Sequence, residues 1–222
     1  MSKKLLIASV LIAGTLLVGI AVWALSPVPH LALGQSQREF ALECDFAKFR
    51  QIMVRLNATD AIVNHGGMTL LNESVNDVAI DTSKDDRPLL NAILGKSKAE
   101  LDAVKTITVR VADDQVDIDE LTLRQTADID EDQMLVTTAS IGPQGAMKNY
   151  ETTLFATADG NRTSVRLTLD MQIEVQVPKL FTSRADAGVA EATEKAITGQ
   201  QQAITEFIIS NAGKNLILPE LK

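Results

Sequence analysis

Four stretches of the chain carry four different patterns of apolar and polar positions. The first is unbroken: from Leu5 to Leu25 no residue is charged and none is proline. As a helix this run reaches about 31 Å, enough to cross the hydrocarbon core of a bilayer. Lys3 and Lys4 precede it, and Trp23 stands near its far end, where an indole suits the interface. Residues 1–25 are therefore expected to be a single-pass transmembrane signal anchor. Its N-terminus would face the cytoplasm and everything after Ser26 would lie on the periplasmic or extracellular side. The alternative is a cleaved signal peptide, with Val22 and Ala24 as the small-residue site. The apolar run is longer than the usual h-region of about 7–15 residues, which favours an uncleaved span.

A mixed stretch follows. Residues 26–36 read as a connector, because Pro27 and Pro29 stop a helix and Gly34 and Ser36 add turn character. A strand is expected at about 37–44, with Phe40 and Leu42 on one face. Asp45 makes a good N-cap for a short helix over 45–56, in which Phe46, Phe49, Ile52, Met53 and Leu56 recur at helical spacing. From 57 to 100 the pattern is weak. It suggests a turn at His65-Gly66-Gly67, strand fragments at 68–71 and 78–81, a polar loop at 83–87 and a short helix from Pro88 to Leu94.

Beyond Val104 the period becomes two. Strands are expected at 104–111, 116–129 (with a phase slip near Asp119 and Glu120 that suggests a bulge), 134–141, 147–157 and 163–177. Turns separate them at Asp113-Asp114, at 130–132, at Gly142-Pro143-Gln144-Gly145 and at Asp159-Gly160-Asn161. In the last strand Val165, Leu167, Leu169, Met171, Ile173, Val175 and Val177 share one face. The fourth pattern is helical. Residues 183–212 carry Val189, Ala192, Ala196, Ile197, Ala203, Ile204, Phe207 and Ile208 as an apolar stripe, with Ser183 as N-cap and Gly213 as stop. A tail, 213–222, ends the chain.

This order is a strand leading directly into a helix at Glu43-Cys44-Asp45-Phe46, then a meander and a hairpin at 159–163 before the long strand and terminal helix. It resembles the START-like, helix-grip (SRPBCC) superfamily, which includes the polyketide cyclases and the plant pollen-allergen proteins. The resemblance covers roughly residues 37–209. It implies an α+β domain over 37–212, in which a curved antiparallel sheet wraps the terminal helix. It also implies a cavity between sheet and helix for a lipid or other apolar ligand. Leu169, Met171, Ile173, Ala192, Ala196 and Ala203 are the candidate ligand-binding residues. The same stripe reads equally as plain core against the sheet.

Composition narrows the chemistry. The chain has 222 residues and a net charge of -8, with 4% aromatic residues. An acidic body argues against nucleic acid as a partner, since phosphate binding needs clustered cations. The two histidines, His30 and His65, leave no His-rich metal site, and Cys44 has no base near it in sequence. Asp128, Asp130 and Asp132 have the opening spacing of a calcium loop, but Gln133 stands where that loop needs glycine. Neither a phosphate-binding glycine loop nor a dinucleotide fingerprint is present. No catalytic constellation, metal site or cofactor is therefore expected. The functional expectation is a membrane-anchored, non-enzymatic binding or accessory module that holds an apolar ligand or docks on a membrane protein complex. The alternatives are an accessory structural subunit with no ligand, and a cyclase-like or hydrolase-like enzyme.

Overall fold

The computed structural model describes residues 25–56, 58–65, 68–87, 91, 98–111 and 120–214. Nearly all of the anchor, the turn at 66–67, most of the expected helix from Pro88, the Asp113-Asp114 turn, the bulge near Asp119 and the tail beyond 214 lie outside them. Among the described residues no helix is long and apolar enough to cross a membrane.

The described chain runs β1 (Pro27–Leu42), α1 (Phe46–Arg55), α2 (Ala58–His65), β2 (Met68–Asp81), β3 (Glu100–Val111), β4 (Glu120–Ile129), β5 (Gln133–Ser140), β6 (Met147–Asp159), β7 (Arg162–Pro178), a short 3-10 turn (Lys179–Phe181) and α3 (Thr182–Ala212). All seven strands form one curved antiparallel sheet in the order β1-β7-β6-β5-β4-β3-β2. Its inner face carries Ile107, Val109, Leu121, Leu123, Ile129, Met134, Leu154, Ala156, Val165, Leu167 and Leu169, all buried. The long helix α3 lies along β1 and β7, and α2 packs against both α3 and β2. This is a helix-grip arrangement, as the order of elements implied.

The residues expected to be a connector are instead the first half of β1. Pro27 pairs with Pro178, and the ladder runs unbroken to Leu42 opposite Thr163. Prolines are tolerated here because β1 is an edge strand, where a missing amide need not cost a ladder bond. Gly34 supplies neither flexibility nor a turn. A Cβ at this position would overlap Thr193 Oγ1 and stand 2.8 Å from the Val189 carbonyl, so its bare backbone is what lets α3 approach β1.

Asp45 caps α1 as expected, its Oδ1 accepting from the Lys48 amide at 3.0 Å. The sequence pattern predicts no helix at α2, because Ala58, Ile62 and Val63 give it too short an apolar side. The fragments expected at 68–71 and 78–81 belong to one strand, β2. Register shifts between Leu70 and Asn72 and between Val75 and Asp77 break its alternation, which hides the strand from a period-two reading. Helix α3 starts at Thr182, with Phe181 rather than Ser183 in the N-cap position and no side-chain cap.

Candidate functional site

The six candidate ligand-binding residues lie on β7 and α3. Leu169, Met171, Ile173 and Ala203 are buried, Ala196 is half-buried and Ala192 faces solvent. The helix buries a stripe rotated from the expected one: Val189, Thr193, Ile197, Gln200, Ala203, Ile204, Ile208 and Asn211. Three of these are polar, and each has its hydrogen bonds arranged locally or against the sheet. Thr193 Oγ1 donates to the Val189 carbonyl at 2.7 Å, and Asn211 Nδ2 to the Phe207 carbonyl at 2.7 Å. Gln200 Nε2 donates to the Tyr150 hydroxyl at 3.2 Å, and Thr152 Oγ1 donates to Gln200 Oε1 at 3.3 Å.

A small space remains beside Gln200. It has a volume of about 60 Å³ and is walled by Met53, Ile62, Val136, Thr138, Thr152, Leu154, Leu167, Gln200 and Ile204. Ligand pockets usually measure roughly 300–1,000 Å³, so this void holds a few waters at most and not a lipid. None of the six candidate residues lines it.

What sequence reasoning missed is a polar lane across the inner face. The register places Ser36, Leu169, Thr152, Thr138, Gln125, Lys105 and Val75 in one row from β1 to β2. All but Leu169 and Val75 are polar. Gln125 Nε2 donates to Thr138 Oγ1 at 3.1 Å, and Lys105 Nζ donates to Glu73 Oε1 at 2.7 Å. Both members of that ion pair are largely covered, at 24% and 19% exposed. At the helix end of the lane, burial pushes the Tyr150 hydroxyl up to about 12, partly offset by its bond from Gln200. The neutral phenol is thus the form the interior holds. The one signal available beforehand was Gln200 itself, an amide at helical spacing between Ile197 and Ile204.

Beyond the lane the sheet opens. The register puts Val78 opposite Ala103 and Ile80 opposite Leu101, on the same face as Ile107 and Val109. Val75, Val78 and Ile80 are 57%, 50% and 63% exposed, while Leu101, Ala103 and Ala127 are half-buried. Among the described residues nothing covers this wing as α3 covers β1 and β7.

Other chemical candidates are engaged elsewhere. His30 Nε2 lies 2.7 Å from Asp186 Oδ1 across the β1–α3 seam. Cys44 is buried, and burial first, then Asp45, pushes its thiol up and away from reactivity. Asp130, Glu131 and Asp132 border an open polar basin of about 460 Å³ with Lys84, Lys98 and Glu100. Lys84 pairs there with Glu100, and Lys98 with Glu131 at 3.7 Å. Among the described residues no three His, Cys, Asp or Glu side chains converge as metal ligands would.

No protein-family model and no curated protein sequence matches the chain. Solved structures do resemble it. TTHA0849 from Thermus thermophilus superposes with a TM-score of 0.51 at 12% identity, over 81% of this chain and 99% of that one. The ZhuI aromatase/cyclase from a Streptomyces species gives 0.46 at 10% identity, over 81% and 93%. Norcoclaurine synthase from Thalictrum flavum gives 0.40 at 12% identity, over 84% and 98%. At these identities the likeness concerns the fold, and the first of the three carries it.

Proposed function

We propose that the chain is a non-enzymatic binding module, held at a membrane by residues 5–25 with its folded part outside the cytoplasm. It takes a lipid or other apolar ligand against the open wing of the sheet rather than inside the closed seam. The observation that supports this is the contrast on one face: the space beside Gln200 measures about 60 Å³, whereas Val75, Val78 and Ile80 on β2 stand exposed. An exposed apolar strand at a sheet edge is a liability unless something uses it. The lane ending at Lys105 and Glu73 suits a molecule with a polar head and an apolar body. Leu169, Met171, Ile173 and Ala203 then hold the seam shut behind the wing.

Native mass spectrometry of protein extracted from its membrane tests this reading. A co-purifying apolar molecule is expected, and Val78→Asp with Ile80→Asp should abolish it. Protein that carries nothing, and that shifts no lipid-analogue fluorescence, would end the ligand reading. The buried side chains along β7 and α3 favour a second reading, an accessory subunit that binds other membrane proteins and no ligand. Cross-linking in native membranes separates the two, since a protein recovered only as a free monomer is at odds with the accessory role.

A further inference from the structure

We infer that the tip formed by the end of β7 and the start of β1 rests on the lipid surface, with Leu180 and Phe181 entering the bilayer interface. This inference rests on the anchored reading and adds an orientation to it. Beyond Glu174, whose amide donates to the Ala146 carbonyl at 2.8 Å, β7 has β1 as its only described strand neighbour. The two strands continue as a ribbon to the pair Pro27 and Pro178. Lys179, Leu180 and Phe181 then turn the chain into α3.

Three observations converge at this tip. The first is apolar exposure: Leu180 is 67% exposed, Phe181 44% and Leu25 57%, and Leu31 and Leu33 on the outer face of the ribbon are 46% and 54%. The second is position. The uncharged run 5–25 ends two residues before Pro27, and Pro178 is the ladder partner of Pro27. From those spacings, Leu180 and Phe181 lie on the order of 15 Å from where the run ends. A bilayer interface is itself about 5–7 Å deep on each side, so a short tilt of the ribbon brings the pair into it.

The third observation is charge. The chain as a whole is acidic, yet residues 1–38 and 175–185 contain no Asp or Glu. Lys179 and Arg184 flank the apolar pair, and both are exposed. Asp186, the next carboxylate along α3, is drawn onto His30 at 2.7 Å. The nearest carboxylates are both paired, Asp186 with His30 and Glu174, opposite Leu31, with Lys148 at 2.6 Å, so an aromatic and an aliphatic side chain between two cations match the interface of a phospholipid leaflet.

The test uses the full chain in vesicles of phosphatidylcholine and phosphatidylglycerol. A fluorophore is placed at Ser183→Cys, beside the apolar pair, or at Asn161→Cys in the β6–β7 hairpin at the opposite end of the sheet. Cys44 is buried and should stay unlabelled. A lipid-borne nitroxide should quench the probe at 183 several-fold more than the probe at 161, roughly 50 Å away along the strands. Leu180→Asp with Phe181→Asp should bring the first signal down to the second. Equal quenching at both sites in protein that resists alkaline carbonate extraction overturns the docked tip and leaves the anchor standing. Release by carbonate overturns the anchor, and quenching confined to 183 in that case supports the tip as a peripheral contact.

Discussion

One sheet has two halves that treat the same alternation in opposite ways. Along β1, β7 and β6 the inner positions are sealed by α3: Leu167 and Leu169 are 1% and 0% exposed, and Gly34 is stripped of its side chain so that the helix can close on the strand. Along β2 and β3 the inner positions thin out. Val75, Val78 and Ile80 face solvent, and the strand carries two register shifts. Strict alternation commits a strand to one buried face, whereas bulges loosen register and re-aim side chains. The sealed half can supply stability, which frees the open half to be shaped by what it meets.

The contrast is most easily broken in the sealed half. Phe49→Ala, at a fully buried position stacked on Phe46, should cost about 3–5 kcal/mol in denaturant unfolding. A value below about 1 kcal/mol would mean the seam is not the stabilising core. Gly34→Ala should cost roughly 1–3 kcal/mol, because the new methyl must displace Thr193 or the helix backbone. Thr193→Ser in the same chain should not rescue it, since the hydroxyl remains.

Tyr150 sharpens the contrast without a change in volume. As the only tyrosine, it is read directly by tyrosinate absorbance. Its folded value is raised to about 12, so its contribution to stability is full below the unfolded value near 10 and is lost as pH rises through 12. No ionisation is expected in the native chain between about pH 10 and 11. Titration there with a normal midpoint would show that the Gln200 seam is open to water. The smallest effect is expected on the open wing: Val78→Ala should change stability by no more than about 0.5 kcal/mol, because the side chain is half in solvent. A loss several times larger would show that the wing is covered in the folded protein.

The legibility of these halves follows from the same physics. Helix α1, β7 and α3 could be read because each keeps one uninterrupted period and a recognisable end: Asp45 at the start of α1, Pro178 closing β7 and Gly213 after α3. The start of β1 was hidden by Pro27, Pro29 and Gly34, which look like a linker until an edge position and a close helix approach account for them. The bulges at Leu71 and Asn76 split β2 into fragments. At the site, hydrophobicity alone marks Ala192 on the α3 stripe, which is exposed, and passes over Thr193 and Gln200, which are buried because their polar atoms find partners. The polar lane needs six strand registers to assemble, and no local pattern contains it.

The ladder between β1 and β7 joins residues separated by about 120–150 positions along the chain. β1 therefore leaves the ribosome well before β7 and waits for it before this ladder can form. Contacts of such long span slow folding and leave a sixteen-residue edge unpaired during synthesis. Holdase chaperones that shield extended segments should accordingly matter to the yield of this protein, and a circular permutant in which β1 follows α3 should fold faster than the natural order, because it shortens the span between β7 and β1.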